Sequence, residues 1–217
     1  MGYKTLEQCV DDLRKHGHLV TIDDEVDAEL EAAEIHRRVF QSGGPAILFN
    51  NVKNCQFRMV SNLFGTLERA RFIFRDTLPI VKKLVSLKLD PSAALKRPWK
   101  HLKTPLHAIR MVPRKKGTGA VLEHQCSITD LPQLKSWPDD GGAFVTLPQV
   151  YTHNPETPGM KYSNLGMYRV QISGGEYEQD QEIGLHYQLH RGIGIHHEAA
   201  NRLGKPLDVN IFVGGTP

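Results

Sequence analysis

Apolar residues recur at helical spacing at the start of the chain. Leu6, Cys9, Val10 and Leu13 follow Thr5, and Gln8 is placed to complete a capping box, so the pattern predicts an amphipathic helix ending near Gly17. Leu19 to Ile22 then reads as a short strand. Asp27 is placed to cap a second helix in which Ile35 and Val39 share a face, and Gly43-Gly44 supplies its stop. Ala46 to Phe49 and Phe57 to Val60 resume as strands. Thr66 is a cap for Leu67 to Arg75, and Pro79 opens a helical pattern over Ile80 to Leu89, where a missing backbone donor costs little. This alternation of helix and short strand predicts a compact α/β unit up to about residue 90.

Beyond Gly119 the period shortens. Ala120 to His124, Phe144 to Tyr151, Tyr162 to Ile172 and Glu182 to Leu189 are strand candidates separated by Gly, Pro, Asp and Asn, a spacing that suggests a barrel or sandwich. A short helix over Ile193 to Leu203 follows, closed by Gly204-Lys205-Pro206, and Leu207 to Val213 is a final strand. The expected class is therefore α+β: an N-terminal α/β domain over 1–115, including a connection, and a β-rich domain over 116–217.

That connection, Asp90 to Gly119, is broken by Pro91, Pro98, Pro105 and Pro113. It carries Lys96, Arg97, Lys100, Lys103, Arg110, Arg114, Lys115 and Lys116. A phosphate or nucleic-acid patch is one reading of this run; a solvated linker beside an acidic neighbour is the other. We expect the linker, since aromatic interleaving is limited to Trp99, and we expect no nucleic-acid partner. A net charge of +3 suits anionic ligands and falls short of a dedicated nucleic-acid binder.

At 217 residues and 40% hydrophobic content the chain can bury a sizeable core. Its three cysteines, Cys9, Cys55 and Cys126, are widely spaced, which suggests neither a disulfide framework nor a thiolate zinc site. No basic segment with an apolar core opens the chain, and no apolar run is long enough to cross a bilayer. We expect a cytoplasmic protein without a transmembrane segment.

Candidate chemistry concentrates between Tyr162 and Gly194, expected as two strands joined by a polar loop. Asn164 and Arg169 lie on opposite faces of an extended strand, so a kink is needed before both can meet one ligand. Gly166 is its natural place, because glycine tolerates the positive φ that a bulge can demand and lets a backbone approach closely. His186 and His190 share a parity, with Gln188 between them. Asn164 with His190 would make half a site for a hard divalent ion, although such sites normally include a carboxylate. Strand histidines are more often hydrogen-bonded surface groups, and Arg169 could be an ordinary ion-pair partner. Of His196 and His197, at most one could join such a site, since adjacent helical residues diverge. Arg191-Gly192, at the expected helix start, offers free backbone donors and close approach to a phosphate.

These residues also carry a resemblance. Asn164-Leu165-Gly166-Met167-Tyr168-Arg169, then Leu189-His190-Arg191-Gly192, then the terminal Gly214-Gly215-Thr216-Pro217 resemble the UbiD family of decarboxylases, in the branch acting on 4-hydroxy-3-polyprenylbenzoate. The likeness extends back through Ser136-Trp137-Pro138-Asp139-Asp140-Gly141-Gly142, Asn62-Leu63-Phe64-Gly65 and Gly43-Gly44-Pro45-Ala46. It implies a split β-barrel of the flavin-reductase type that holds prenylated FMN, with the phosphate bridged by manganese and a potassium ion nearby. It implies Asn164 and His190 as metal ligands. Met167, Tyr168, Arg169, His186, Tyr187, Gln188, Arg191 and Gly192 fall on the cofactor-contacting segments, and Arg169 is the candidate to orient the carboxylate of a small-molecule acid. A flavin prenyltransferase would supply the cofactor, and the full-length form would be a homo-oligomer in quinone biosynthesis.

By the same resemblance, the metal-binding glutamate, the later acids and an assembly domain would lie past Pro217. The chain is expected to be the first part of such an enzyme, poorly active alone and prone to association through the exposed edge of its last strand. The alternatives are a noncatalytic remnant and the flavin- or metal-binding half of a split enzyme.

Overall fold

The computed structural model describes residues 2–90 and 116–217, together with Pro105, Leu106, Ile109 and Val112. Of the basic run only Lys116 is among them; the other expected features of the connection lie outside the described residues.

Helix α1 (Leu6–Lys15) starts as expected at Thr5, whose hydroxyl accepts the Gln8 N–H at 3.2 Å. The Gln8 side chain accepts from Lys4 N–H at 2.9 Å, so the box closes one residue before the cap. Strand β1 (Leu19–Val26), helix α2 (Glu31–Gln41) and strand β2 (Ala46–Val52) form a parallel crossover unit, and β3 (Met59–Ser61) adds antiparallel to β2, giving the order β1-β2-β3. The central strand β2 shows why both faces must be apolar. Ala46 and Leu48 pack with Cys9, Leu13 and Ile73 on one side, while Ile47 and Phe49 pack with Val26, Ala32 and Val52 on the other.

Asp27 does not cap α2. Leu30 occupies the cap position with φ 65°, and the Asp27 carboxylate instead accepts Glu29 N–H at 2.9 Å and Lys53 Nζ at 2.8 Å. The cause is tertiary: Leu30 N–H donates to the Lys135 carbonyl at 2.9 Å, and Lys135 N–H to the Ala28 carbonyl at 3.2 Å. A strap from the second half of the chain thus sets how the backbone enters α2. Leu134 packs on the core beside it, and Cys55 Sγ reaches the Asp130 carbonyl at 3.2 Å.

Helix α3 (Leu67–Ile73) is capped by Thr66 as expected and carries a buried arginine, Arg69, only 3% exposed. Its Nε donates to Leu63 O at 3.0 Å, Nη1 to Gly44 O at 2.9 Å and Nη2 to Asn62 O at 2.6 Å. Asn62, at φ 57°, donates through Nδ2 to Pro45 O at 2.8 Å. The two short motifs around Gly44 and Asn62 are therefore loops stitched together by one guanidinium. Helix α4 (Leu78–Leu89) follows, with Pro79 in its first turn.

In the second half the strands are β4 (Phe144–Val145), β5 (Gln149–His153), β6 (Ser163–Gly166), β7 (Arg169–Gln171) and β8 (Gly184–His186), then helix α5 (Gly192–Arg202) and β9 (Val209–Phe212). They form two antiparallel sheets, β4-β7-β8 and β6-β5-β9. The expected strand over Ala120 to His124 is instead a 3-10 turn at Ala120–Leu122, with Val121 and Leu122 exposed. Two other expected strands, Phe144 to Tyr151 and Tyr162 to Ile172, each divide and send their halves to different sheets. The first breaks around Pro148, which cannot donate to a ladder, and the second at Met167-Tyr168. Val150 from one sheet and Val170 and Ile172 from the other share a core that Ile193 of α5 closes.

Candidate active site

Where β6 gives way to β7, the chain leaves one sheet for the other, and a cleft of about 610 Å³ opens beside that crossing. It is lined by residues 164–169, by His186, Tyr187 and Gln188 after the β7–β8 hairpin, and by Arg191 and Gly192 at the start of α5. The expected kink lies next to Gly166, but not for positive φ. A Cβ there would lie 2.6 Å from the Tyr168 ring, so it is ring packing that excludes a side chain. Asn164 stands opposite Thr152 on β5, donates through Nδ2 to the Tyr168 hydroxyl at 3.2 Å, and presses its Oδ1 against Gly192.

Arg169 heads β7, facing His186 across the ladder. Its Nη2 reaches Asp140 Oδ1 at 3.0 Å, and its guanidinium carbon sits 3.6 Å from the centroid of the Phe144 ring. Phe144 in turn receives the His186 ring edge-on at 6.0 Å. The ion-pair role open to Arg169 from sequence is thus real, and it coexists with a place on the cleft wall.

Arg191 is the N-cap of α5, its Nε donating to Gln188 Oε1 at 3.3 Å and its own N–H to Gln188 O at 2.9 Å. The first turn of α5 contains no acidic residue, and its leading N–H groups have no acceptor within the helix. The cleft therefore presents two guanidinium groups and a helix N-terminus, with no carboxylate among its lining residues.

His190 does not share the strand with His186, which ends β8. It lies in the exposed turn before α5, outside the cleft lining, so the parity relating the two residues does not hold. Among the described residues no group of three or more His, Cys, Asp or Glu side chains converges as a metal site would require. His196 turns inward, buried, with Nδ1 at 2.8 Å from Thr152 Oγ1, and His197 bonds the Tyr187 hydroxyl. Spacing does not reveal Asp140, Phe144 and Thr152 as site-supporting residues, because each meets its partner, Arg169 or His196, through a tertiary contact rather than along the chain.

Burial, helped by the nearby His153, pushes the pKa of His196 below the usual histidine range. The unfolded chain therefore takes up a proton that the fold refuses, so stability is full above the ordinary histidine pKa and falls as pH drops below it. Thermal unfolding should show a lower melting temperature at pH 5 than at pH 7.5. His196→Asn should flatten that difference, and an unchanged pH dependence in the variant would count against this assignment.

The description of the family model that matches residues 10–88 is the 3-octaprenyl-4-hydroxybenzoate carboxy-lyase N-terminal domain; that for residues 110–217 is the Rift-related domain of the same carboxy-lyase. Both matched segments thus carry the description of one class of carboxy-lyases. The chain belongs to the UbiD family. It is 37% identical over 208 residues to a protein of Chlamydia pneumoniae named as a subunit of 4-hydroxybenzoate decarboxylase, an alignment covering 94% of this chain and 34% of that one. The fold is similar to that of vanillic acid decarboxylase from Sedimentibacter hydroxybenzoicus in closed form, with TM-score 0.75 and 22% identity over 99% of this chain and 44% of the other. It is also similar to an evolved dimeric form of HmfF, a UbiD-class enzyme from Pelotomaculum thermopropionicum in complex with prFMN, with TM-score 0.66 and 20% identity over 99% and 45%. The chain spans 34% to 45% of the length of curated relatives that it matches.

Proposed function

We propose that this chain carries the cofactor face of a carboxy-lyase that uses prenylated FMN to remove CO2 from an aromatic or α,β-unsaturated acid. 4-Hydroxy-3-polyprenylbenzoate, in quinone biosynthesis, is the substrate nearest by resemblance. The observation that carries this reading is the cleft itself, where Arg169, Arg191 and the α5 N-terminus converge without a lining carboxylate. Its volume of about 610 Å³ lies within the range of cofactor sites. The HmfF complex and the carboxy-lyase family descriptions support it further.

In this reading Arg191 and the N–H groups at Gly192 hold the flavin phosphate. Asn164 Oδ1 and the His190 imidazole would be the ligands for a manganese ion, with His190 turning in from the exposed turn before α5. Met167, Tyr168, His186, Tyr187 and Gln188 form the wall against the ring system. When bound, the prenylated flavin supplies the electron sink that an sp² carbon losing CO2 lacks. Arg169 binds the carboxylate, aims it at the ring system, and loses that ionic contact when neutral CO2 forms. The two small sheets belong to a split β-barrel in a domain spanning 116–217, after an N-terminal domain of 1–115. The whole protein is a cytoplasmic homo-oligomer supplied by a flavin prenyltransferase.

Co-expression with a flavin prenyltransferase tests this directly. The protein should emerge with a bound flavin whose mass exceeds that of FMN by the prenyl addition and whose absorbance is altered. Recovery without flavin speaks against the reading. Made in the completed chain, Asn164→Ala or His190→Ala should each lower bound manganese and flavin by about tenfold or more, measured by metal analysis and absorbance. Unchanged metal content would remove these residues from the metal site.

A further inference from the structure

Resting on the carboxylate role proposed for Arg169 above, we propose that Asp140 and Phe144 are positioning residues that hold its guanidinium on the cleft wall. The arginine side chain is 54% exposed and, left to itself at the head of a strand, would sample many rotamers. Two contacts restrict it. Asp140 Oδ1 takes Nη2 at 3.0 Å, and the Phe144 ring lies under the guanidinium at 3.6 Å.

Both partners are themselves fixed. The Asp140 side chain is only 14% exposed; its Oδ2 accepts Trp137 N–H at 3.1 Å, and its own N–H donates to Trp137 O at 3.1 Å, so a tight turn sets the carboxylate. Phe144 is buried, and its backbone pairs with Gln171 of β7, the strand that Arg169 begins. The turn, the ring and the arginine thus form one unit spanning β4 and β7.

The direction of the contacts matters. Among the described residues the guanidinium gives only Nη2 to a protein acceptor, which leaves Nε and Nη1 for a substrate carboxylate. The Asp140 charge also offsets that of Arg169, so a carboxylate is attracted less strongly but met in one orientation. Removing the charge while keeping the shape should therefore separate affinity from turnover: binding holds or strengthens while the reacting geometry is lost.

Isotope-labelled protein with benzoate as the carboxylate probe provides the test. Arg169→Lys identifies the Arg169 Nε–H resonance. That resonance should be sharp in the wild type and broadened beyond detection in Asp140→Asn and in Phe144→Leu; resonances equally sharp in both variants overturn the proposal. Benzoate should shift the wild-type resonance. Absence of that shift argues against Arg169 as the carboxylate partner, a failure of the functional reading distinct from the first. In full-length, flavin-loaded protein turning over 4-hydroxybenzoate, Asp140→Asn should lower kcat at least tenfold with KM held or reduced, and Asp140→Glu should recover part of kcat. A raised KM with no recovery by glutamate marks a general structural role and overturns the proposal.

Discussion

Arg69→Leu should lower the melting temperature by roughly 6–12 °C, the shift expected when a chain of this size loses about 3 kcal/mol. The guanidinium is only 3% exposed and bonds carbonyls from three places, Leu63, Gly44 and Asn62. Leucine fills comparable space but leaves Leu63 O and Asn62 O facing an apolar side chain, and buried acceptors left bare are costly. Burial pulls the Arg69 pKa down, and no carboxylate stands among its hydrogen-bond partners, so its value lies in donors, not in charge pairing. Arg69→Lys should consequently also be unstable, because one ammonium cannot reproduce the planar fork. Calorimetry on both variants checks this; a leucine variant that melts with the wild type would refute it.

Gly192→Ala should do the reverse, leaving the fold nearly intact while emptying the site. A Cβ at this position would lie 2.2 Å from Asn164 Oδ1, far inside contact distance. The obstacle is a side-chain tip, so Asn164 can rotate away and the backbone need not move. The consequence falls on chemistry: Asn164 gives up its hydrogen bond to Tyr168 and its orientation toward the start of α5. Bound manganese and flavin should fall by about tenfold to a hundredfold, with a melting temperature close to that of the wild type. Full cofactor content in a folded alanine variant would show that Asn164 does not need its present orientation.

Much of the first half could be read from periodicity, because its helices are short, amphipathic and closed by local signals. Thr5 and Thr66 cap as their spacing predicts, and the central strand β2 is apolar on both faces as a covered strand must be. Asp27 failed as a cap because a contact with Lys135, far along the chain, decides the local geometry. In the second half the strand-forming runs around Val150 and Val170 were visible, but not that each run is cut and shared between sheets. Alternation records which face a residue takes, not which sheet it joins. The same limit applies to the site. The residues from Asn164 to Arg169 and the Arg191-Gly192 pair are contiguous and meet in one cleft, whereas β8 ends at His186 and His190 lies in the turn beyond it, a break that strand parity does not register. Asp140 meets Arg169 from the turn at Trp137, a contact that no spacing announces.

The strap at Lys135 has a mechanical consequence. The two halves of the chain are joined covalently through residues 91–115 and a second time through the hydrogen bonds linking Lys135 to Ala28 and Leu30. Leu134 on the first-half core, the Cys55 Sγ contact with Asp130 O and the Lys135–Glu29 ion pair surround that second tie, so it is a cluster of contacts rather than a single pivot. Trp137 and Asp140 follow that tie closely in sequence, so the turn that sets the Asp140 carboxylate starts from anchored backbone.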